Sequence, residues 1–210
     1  MPSVSSCLIG TFVCASIAVS LAIFAAFYVF EIKGSGDLYL DNAPGVVKIV
    51  RESDTKILHI FGEGSLSVNY GLGFATAQNR LWQIEKTRRM AKGKLSALFG
   101  EKALPVDTFM RQLNLRDLAK ESWEQDNISA KDREELHAFA DGINDYVQGV
   151  SLTDSESQTG RVLPAEFIAF GITQETFEPW TPADTLIIYK LLSFSVTYDW
   201  GPTLHREALR

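Results

Sequence analysis

Asn69–Gly100 reads "NYGLGFATAQNRLWQIEKTRRMAKGKLSALFG". Tyr70, Phe74, Ala77, Leu81 and Ile84 recur at spacings of four, three, four and three, the period of one helical face. This spacing predicts a helix opened by a capping Ser65 and broken at Gly93, then a short helix, "KLSALFG", closed by Gly100. Gly71 and Gly73 weaken the first turns by about 1 kcal/mol each relative to Ala, so another backbone is expected close by. Beside the apolar stripe stand Gln78, Arg80, Glu85, Arg88 and Arg89. Buried arginine is tolerated only when carboxylates or carbonyls take up its donors. Two readings follow: a framework of internal ion pairs, or a clamp for an anionic substrate.

Upstream, "VVKIVRE" and "KILHIFG" read as two strands, with Ser53, Asp54 and Thr55 in the turn of a β-hairpin. Glu31–Gly45 is rich in Gly, Asp and Asn and reads as a linker. Downstream, a capping Ser129 precedes a helix with Leu136, Phe139, Ala140, Ile143 and Val147 on one face. Ser151–Gly160 reads as a polar loop, and Thr181, Pro182 and Asp184 as the start of a largely apolar helix. The fold class expected is α+β, mainly helical with an amino-terminal hairpin.

Leu8–Phe30 carries no charge over 23 residues. As a helix it would span roughly 34 Å, against a bilayer core of about 30 Å. It reads as a membrane anchor, with a cleaved signal peptide as the rival. The organisation expected is an anchor or signal over 1–33, a linker over 34–45 and one folded part over 46–210. Lys33 is the cation near the anchor, so the positive-inside rule has little to count. The bulk of the chain is expected outside the cytoplasm, anchored, or secreted if the segment is removed. Cys7 and Cys14, the two cysteines, lie at or within this segment and cannot staple the folded part.

A net charge of −6 and a pI near 5.1 leave no basic stripe for nucleic acid. His59, His137 and His205 fall in three elements without metal-ligand spacing and read as structural. No GxSxG, HExxH, P-loop or GxGxxG motif occurs. Asn127-Ile128-Ser129 is a glycosylation sequon, meaningful only if this part of the chain is lumenal.

Several motifs in order carry a family resemblance. "HIFGEGSLSVNYGLGFATAQNRLWQIEKTRRMAKGKLSALFG", then Asp107 and Arg111, then "HAFADGINDYV" and "LPAEFIAFGITQETFEPWTPADTL", resemble the amino-terminal signature of the penicillin acylase family. The resemblance covers His59 to Asp184, and the strand before it, Val47 to Glu52, fits as well. It implies part of a four-layer αββα fold and an N-terminal nucleophile hydrolase. In such enzymes a precursor cuts itself into an α and a β chain. The new amino-terminal Ser of the β chain attacks the amide, with its own amine as proton acceptor. This chain resembles the α portion, so the partners implied are a downstream β chain and a small-molecule amide: a β-lactam side chain, an acyl-homoserine lactone or similar. No catalytic residue is assigned here, and Ser65 and Ser129 read as caps. The helix after "EPWTPAD" implies an acyl pocket wall, with Leu191, Leu192, Phe194 and Val196 as candidates and core packing as the alternative for each. Tyr70, Gln78, Arg80, Arg88 and Arg89 take the framework role.

Two departures stand out. Calcium in the family needs an α-chain carboxylate near the end of that helix, where this chain has "TLHRE", with Glu207 three residues late, so no metal ligand is assigned. Asn79 replaces the Asp expected before Arg80. The alternative function is a truncated, non-catalytic, membrane-anchored scaffold or interaction protein.

Overall fold

The computed structural model describes residue 20 and residues 36–40, 42–55, 57–125, 128–149 and 161–197. The chain divides between Lys33 and Gly34 into two units, and the account below concerns the second. The expected anchor apart from residue 20, Cys7, Cys14, Asn127, His205, the loop over 151–160 and the "TLHRE" stretch lie outside the described residues. Among the described residues no helix is long and apolar enough to cross a membrane.

The hairpin is present as β2 (Val47–Arg51) and β3 (Leu58–Gly62), paired antiparallel with Ile49 opposite Ile60. It gains a third strand: β1 (Gly36–Tyr39), inside the stretch expected to be a linker, pairs with β2 in the order β1-β2-β3. Gly and Asp are poor strand formers, and the ladder offered by β2 outweighs that local preference. Val47 and Ile49 are buried while Phe61 is exposed, so one face of this small sheet is covered.

The covering element is α1 (Ser65–Ala91). Its amino-terminus differs from expectation: Gly64 occupies the cap position, no side chain caps it, and Ser65 is the first helical residue. Anchoring comes instead from Ser67, whose hydroxyl donates to the Pro44 carbonyl at 2.6 Å. The helix is also kinked at Arg80, where φ −142° and ψ 24° leave the helical region. Opposite this kink, the Arg51 guanidinium donates to Gln78 Oε1 at 3.1 Å and Asn79 Oδ1 at 2.8 Å.

Two short helices follow Gly93, which sits at φ +61° as its role of helix breaker requires. These are α2 (Ser96–Phe99), closed by Gly100 at φ +69°, and, after a 3-10 turn, α3 (Leu104–Leu113). Asp107 pins this corner, accepting from the backbone N–H of Leu95 at 2.7 Å and of Ser96 at 2.8 Å, while Arg111 donates to the Gly93 carbonyl. Burial alone would raise the Asp107 pKa, but the Ser96 and Leu95 donors outweigh it and the net shift is downward. Asp107→Asn should therefore cost about 1 kcal/mol in a denaturant titration near neutral pH. The stability that Asp107 supplies is present above the unfolded carboxyl pKa of about 3.9 and lost as pH falls through its lower folded value. The variant's deficit should shrink there.

α4 (Leu115–Glu124) starts at Asn114, a left-handed residue at φ +54°. α5 (Ala130–Gln148) is capped as expected, with Ser129 Oγ accepting from the Asp132 N–H at 3.1 Å. α6 (Ala165–Ala169) and α7 (Pro182–Thr197) complete the described residues. The main core lies between the sheet, α1 and α5, with Phe74 edge-on to Tyr146 and Trp82 stacked on Phe170 at 5.2 Å. A second cluster joins Ala91, Leu115 and Ala119 to Ile187 and Leu191.

Candidate functional site

The last turns of α1 carry Glu85, Arg88, Arg89 and, just beyond, Lys92 and Lys94. An acidic residue three or four positions before a basic one is the favourable helical arrangement. Glu85 meets both arginines: Arg88 Nε lies 2.8 Å from Oε2, and Arg89 Nε 2.6 Å from Oε1. Arg88 and Glu85 are each 1% exposed, so a second partner for this guanidinium is required by the cost of burying charge.

That partner comes from 96 residues away in the sequence. Arg88 Nη1 lies 3.3 Å from Asp184 Oδ2 and donates to the Pro179 carbonyl at 3.4 Å. The guanidinium carbon is 4.9 Å from the ring centres of both Phe177 and Trp180, so the cation is held between two π faces. Lys92 Nζ reaches Asp184 Oδ1 at 2.6 Å, and Lys92 and Lys94 both face Glu178. Burial would raise the Asp184 pKa, but the Lys92 hydrogen bond and the charges of Arg88 and Lys92 hold it below the usual carboxylate value.

Asp184 also accepts from the backbone N–H and hydroxyl of Thr181, both at 3.0 Å, which sets the first turn of α7. The hydroxyl expected to cap the helix thus donates to the Asp side chain. α5 grips the same segment: the Asn144 amide donates to the Trp180 carbonyl at 2.9 Å and accepts from its N–H at 2.7 Å. Trp180 Nε1 donates to Thr185 Oγ1. Two helices therefore fix where α7 begins and how it is aimed.

The framework residues divide. Tyr70, Gln78 and Arg88 are buried and Arg89 is half-buried on Glu85, whereas Arg80 is exposed at the kink, with no ion pair among the described residues. The expectation of an internally paired arginine fails for Arg80, because the kink turns it out of the apolar stripe. Its neighbour Asn79 accepts from Arg51 at 2.8 Å.

The four pocket-wall candidates divide as well. Leu191 is buried in the second core cluster, so its surroundings are those of core packing. Phe194 is half-buried and tilts against Phe109 at 6.2 Å. Leu192 and Val196 are 54% and 82% exposed and, with Tyr189, form an apolar line along the outer face of α7. Asp184, Glu178, Trp180 and Asn144 are the positioning residues that composition and periodicity alone do not single out. The signal for Glu178, Trp180 and Asp184 lies in the "EPWTPAD" motif, with its charges complementary to "RRMAKGK", and that for Asn144 in "HAFADGINDYV".

Comparison with known proteins places this architecture. The family model described as penicillin amidase matches residues 46–210. The chain is 31% identical over 146 residues to penicillin acylase 2 proenzyme of Pseudomonas sp. (strain SE83), covering 70% of this chain and 17% of that protein. It is 30% identical over 137 residues to penicillin G acylase of Escherichia coli, with 65% and 15% covered. It is 29% identical over 130 residues to acyl-homoserine lactone acylase QuiP of Pseudomonas aeruginosa, with 62% and 14% covered. Among solved structures, the thermostable penicillin G acylase from Alcaligenes faecalis superposes with a TM-score of 0.56 at 26% identity, covering 68% of this chain and 69% of that chain. The chain thus spans 14–17% of the length of these three curated relatives.

Proposed function

The chain belongs to the penicillin amidase family, and from that premise we propose that it is the α-chain region of an amidohydrolase cleaving an acyl-amide bond, with the nucleophile on a downstream β chain. The two classes of relatives, penicillin acylases and acyl-homoserine lactone acylases, share hydrolysis of an amide between an acyl group and an amine. One observation carries the reading: the buried Arg88–Asp184 contact that joins the "RRMAKGK" and "EPWTPAD" motifs and fixes the start of α7. A scaffold with no site to support would gain little from burying three charges, since well-packed apolar residues of similar volume are often as stable or more so. The cost is reasonable where a helix has to be aimed.

In this role the chain performs no bond cleavage. It holds α7 so that Phe194, and Leu192 and Val196 on the exposed side, can meet acyl substituents or the β chain. Half-burial of Phe194 and exposure of Leu192 and Val196 support this assignment. A hydrophobic wall discriminates acyl groups by about 1–3 kcal/mol per methylene, or roughly 10–200-fold.

The test uses the complete gene product and a panel of N-acyl anilides of increasing acyl length. Phe194→Ala should change the kcat/KM ratio between the longest and shortest acyl groups by about tenfold. An unchanged ratio accompanied by a lowered unfolding midpoint would return Phe194 to core packing against Phe109.

A further inference from the structure

The outer face of the β1-β2-β3 sheet is apolar where polar residues are expected. On an antiparallel sheet with one covered face the strands alternate, apolar toward the core and polar outward. Val47 and Ile49 follow that rule on the inner face. The outward row breaks it: Tyr39 pairs with Lys48 and Lys48 with Phe61, which sets two aromatics on either side of one cation across three strands. The Lys48 ammonium lies 5.9 Å from the Tyr39 ring centre, and Phe61 stacks with His59 at 6.5 Å. Tyr39, Phe61, and Val46 and Ile57 just before β2 and β3, are each more than half exposed. A single exposed apolar residue needs no explanation, but four around one small sheet mark a contact surface.

Chain length narrows what that contact is. The uncharged stretch Leu8–Phe30 ends six residues before β1. Six residues span at most about 20 Å, so an anchor in that stretch keeps β1 within this reach of a bilayer surface. Charge then separates a bilayer from a dry protein partner. Lys48 stands in the middle of the face, and beside Phe61 the His59 ring lies 2.8 Å from Glu52, the two side chains 45% and 43% exposed. A dry interface would have to strip water from all three, at a cost that the pairing seldom repays. The headgroup region keeps them hydrated while aromatic rings settle at the acyl boundary and a lysine stem lies along it.

We propose that the outer face of the sheet docks on the headgroup region of the membrane that holds the chain, with Tyr39 and Phe61 reaching the acyl boundary and Lys48 at a lipid phosphate. This inference rests on the reading of Leu8–Phe30 as a retained anchor. It does not depend on the amide-hydrolase reading, because it concerns another face and needs no turnover.

Photocrosslinking tests it. The complete gene product bearing Phe61→p-benzoylphenylalanine is held in phosphatidylcholine vesicles and irradiated, so that the benzophenone joins whatever touches position 61. Mass spectrometry should find phosphatidylcholine there about tenfold more often than with Leu118→p-benzoylphenylalanine, at an exposed position on α4. Tyr39→p-benzoylphenylalanine should give the same excess from the other edge strand, which keeps the test decisive if the Phe61 variant misfolds. Adducts to a polypeptide instead of lipid, or lipid adducts no more frequent than at Leu118, would overturn the proposal and leave the anchor reading standing. Protein that alkaline carbonate washes off the vesicles would overturn both.

Discussion

Replacing Arg88 by Ala should lower the folding stability of the protein by about 3–5 kcal/mol, the loss expected when one member of a buried ion network is removed. The residue is 1% exposed, and its guanidinium is shared between Glu85 and Asp184, themselves 1% and 2% exposed. Truncation leaves both carboxylates short of a donor and opens a void between the Phe177 and Trp180 rings. Arg89 and Lys92 remain on Glu85 and Asp184, which keeps the loss from rising further. Arg88→Lys should fall between, since an ammonium keeps the charge but loses the planar fork and the stacking. Arg89→Ala should cost less than about 1 kcal/mol, because that side chain is 19% exposed and Glu85 keeps Arg88. Denaturant midpoints give the order directly; a loss below about 1 kcal/mol for Arg88→Ala would mean that the contact does not hold α7.

Gly142→Val should cost about 3 kcal/mol, the upper part of the usual range for overpacking. α1 and α5 meet through two glycines that face each other's backbone. A Cβ built on Gly73 would lie 2.0 Å from the Phe139 carbonyl oxygen, and one on Gly142 would lie 2.0 Å from the Tyr70 carbonyl oxygen. Backbone cannot rotate away as a long side chain can, so the helices have to separate, and the Phe74–Tyr146 packing at this crossing would loosen. Intrinsic propensity alone favours Ala over Gly in a helix by about 1 kcal/mol, so Gly73→Ala and Gly142→Ala measure the close approach against that gain. Each should still destabilise. The double variant should lose less than the sum, because one displacement relieves both clashes. Strict additivity would show that the two contacts are independent.

Gly71 and Gly73 illustrate what is legible in the sequence. Their cost to an otherwise periodic helix announces a close backbone; the structure places the Phe139 backbone against Gly73, whereas Gly71 meets the side chains of Val47 and Ile60 and no backbone. Which neighbour it is cannot be read locally. The same holds at the site: the Glu85–Arg88 and Glu85–Arg89 pairs follow from helical spacing, but Asp184 and the rings of Phe177 and Trp180 come from a distant segment that only the fold brings near. The motif resemblance supplied that segment without its contact.

Other misses have local causes. α3 and α4, ten residues each, meet at a left-handed Asn114, and this break obscures a single helical period. β1 exists through its pairing with β2. Ser65 reads as a cap by residue type, yet Gly64 takes that position, because the helix is tied down by Ser67 on Pro44 instead. On α7 apolar residues outnumber polar ones and fall on every side of the helix, so periodicity could not separate Leu191, which is buried, from Leu192 and Val196, which are not.

The most direct test of the α-chain assignment is amino-terminal sequencing with intact mass analysis of the mature protein, isolated from the producing cells through this chain. The account predicts two associated polypeptides, this chain and a second, larger one whose first residue is Ser, Cys or Thr exposed by cleavage. A mature protein made of one polypeptide ending near Arg210, with no second chain attached, would contradict it and leave the scaffold reading.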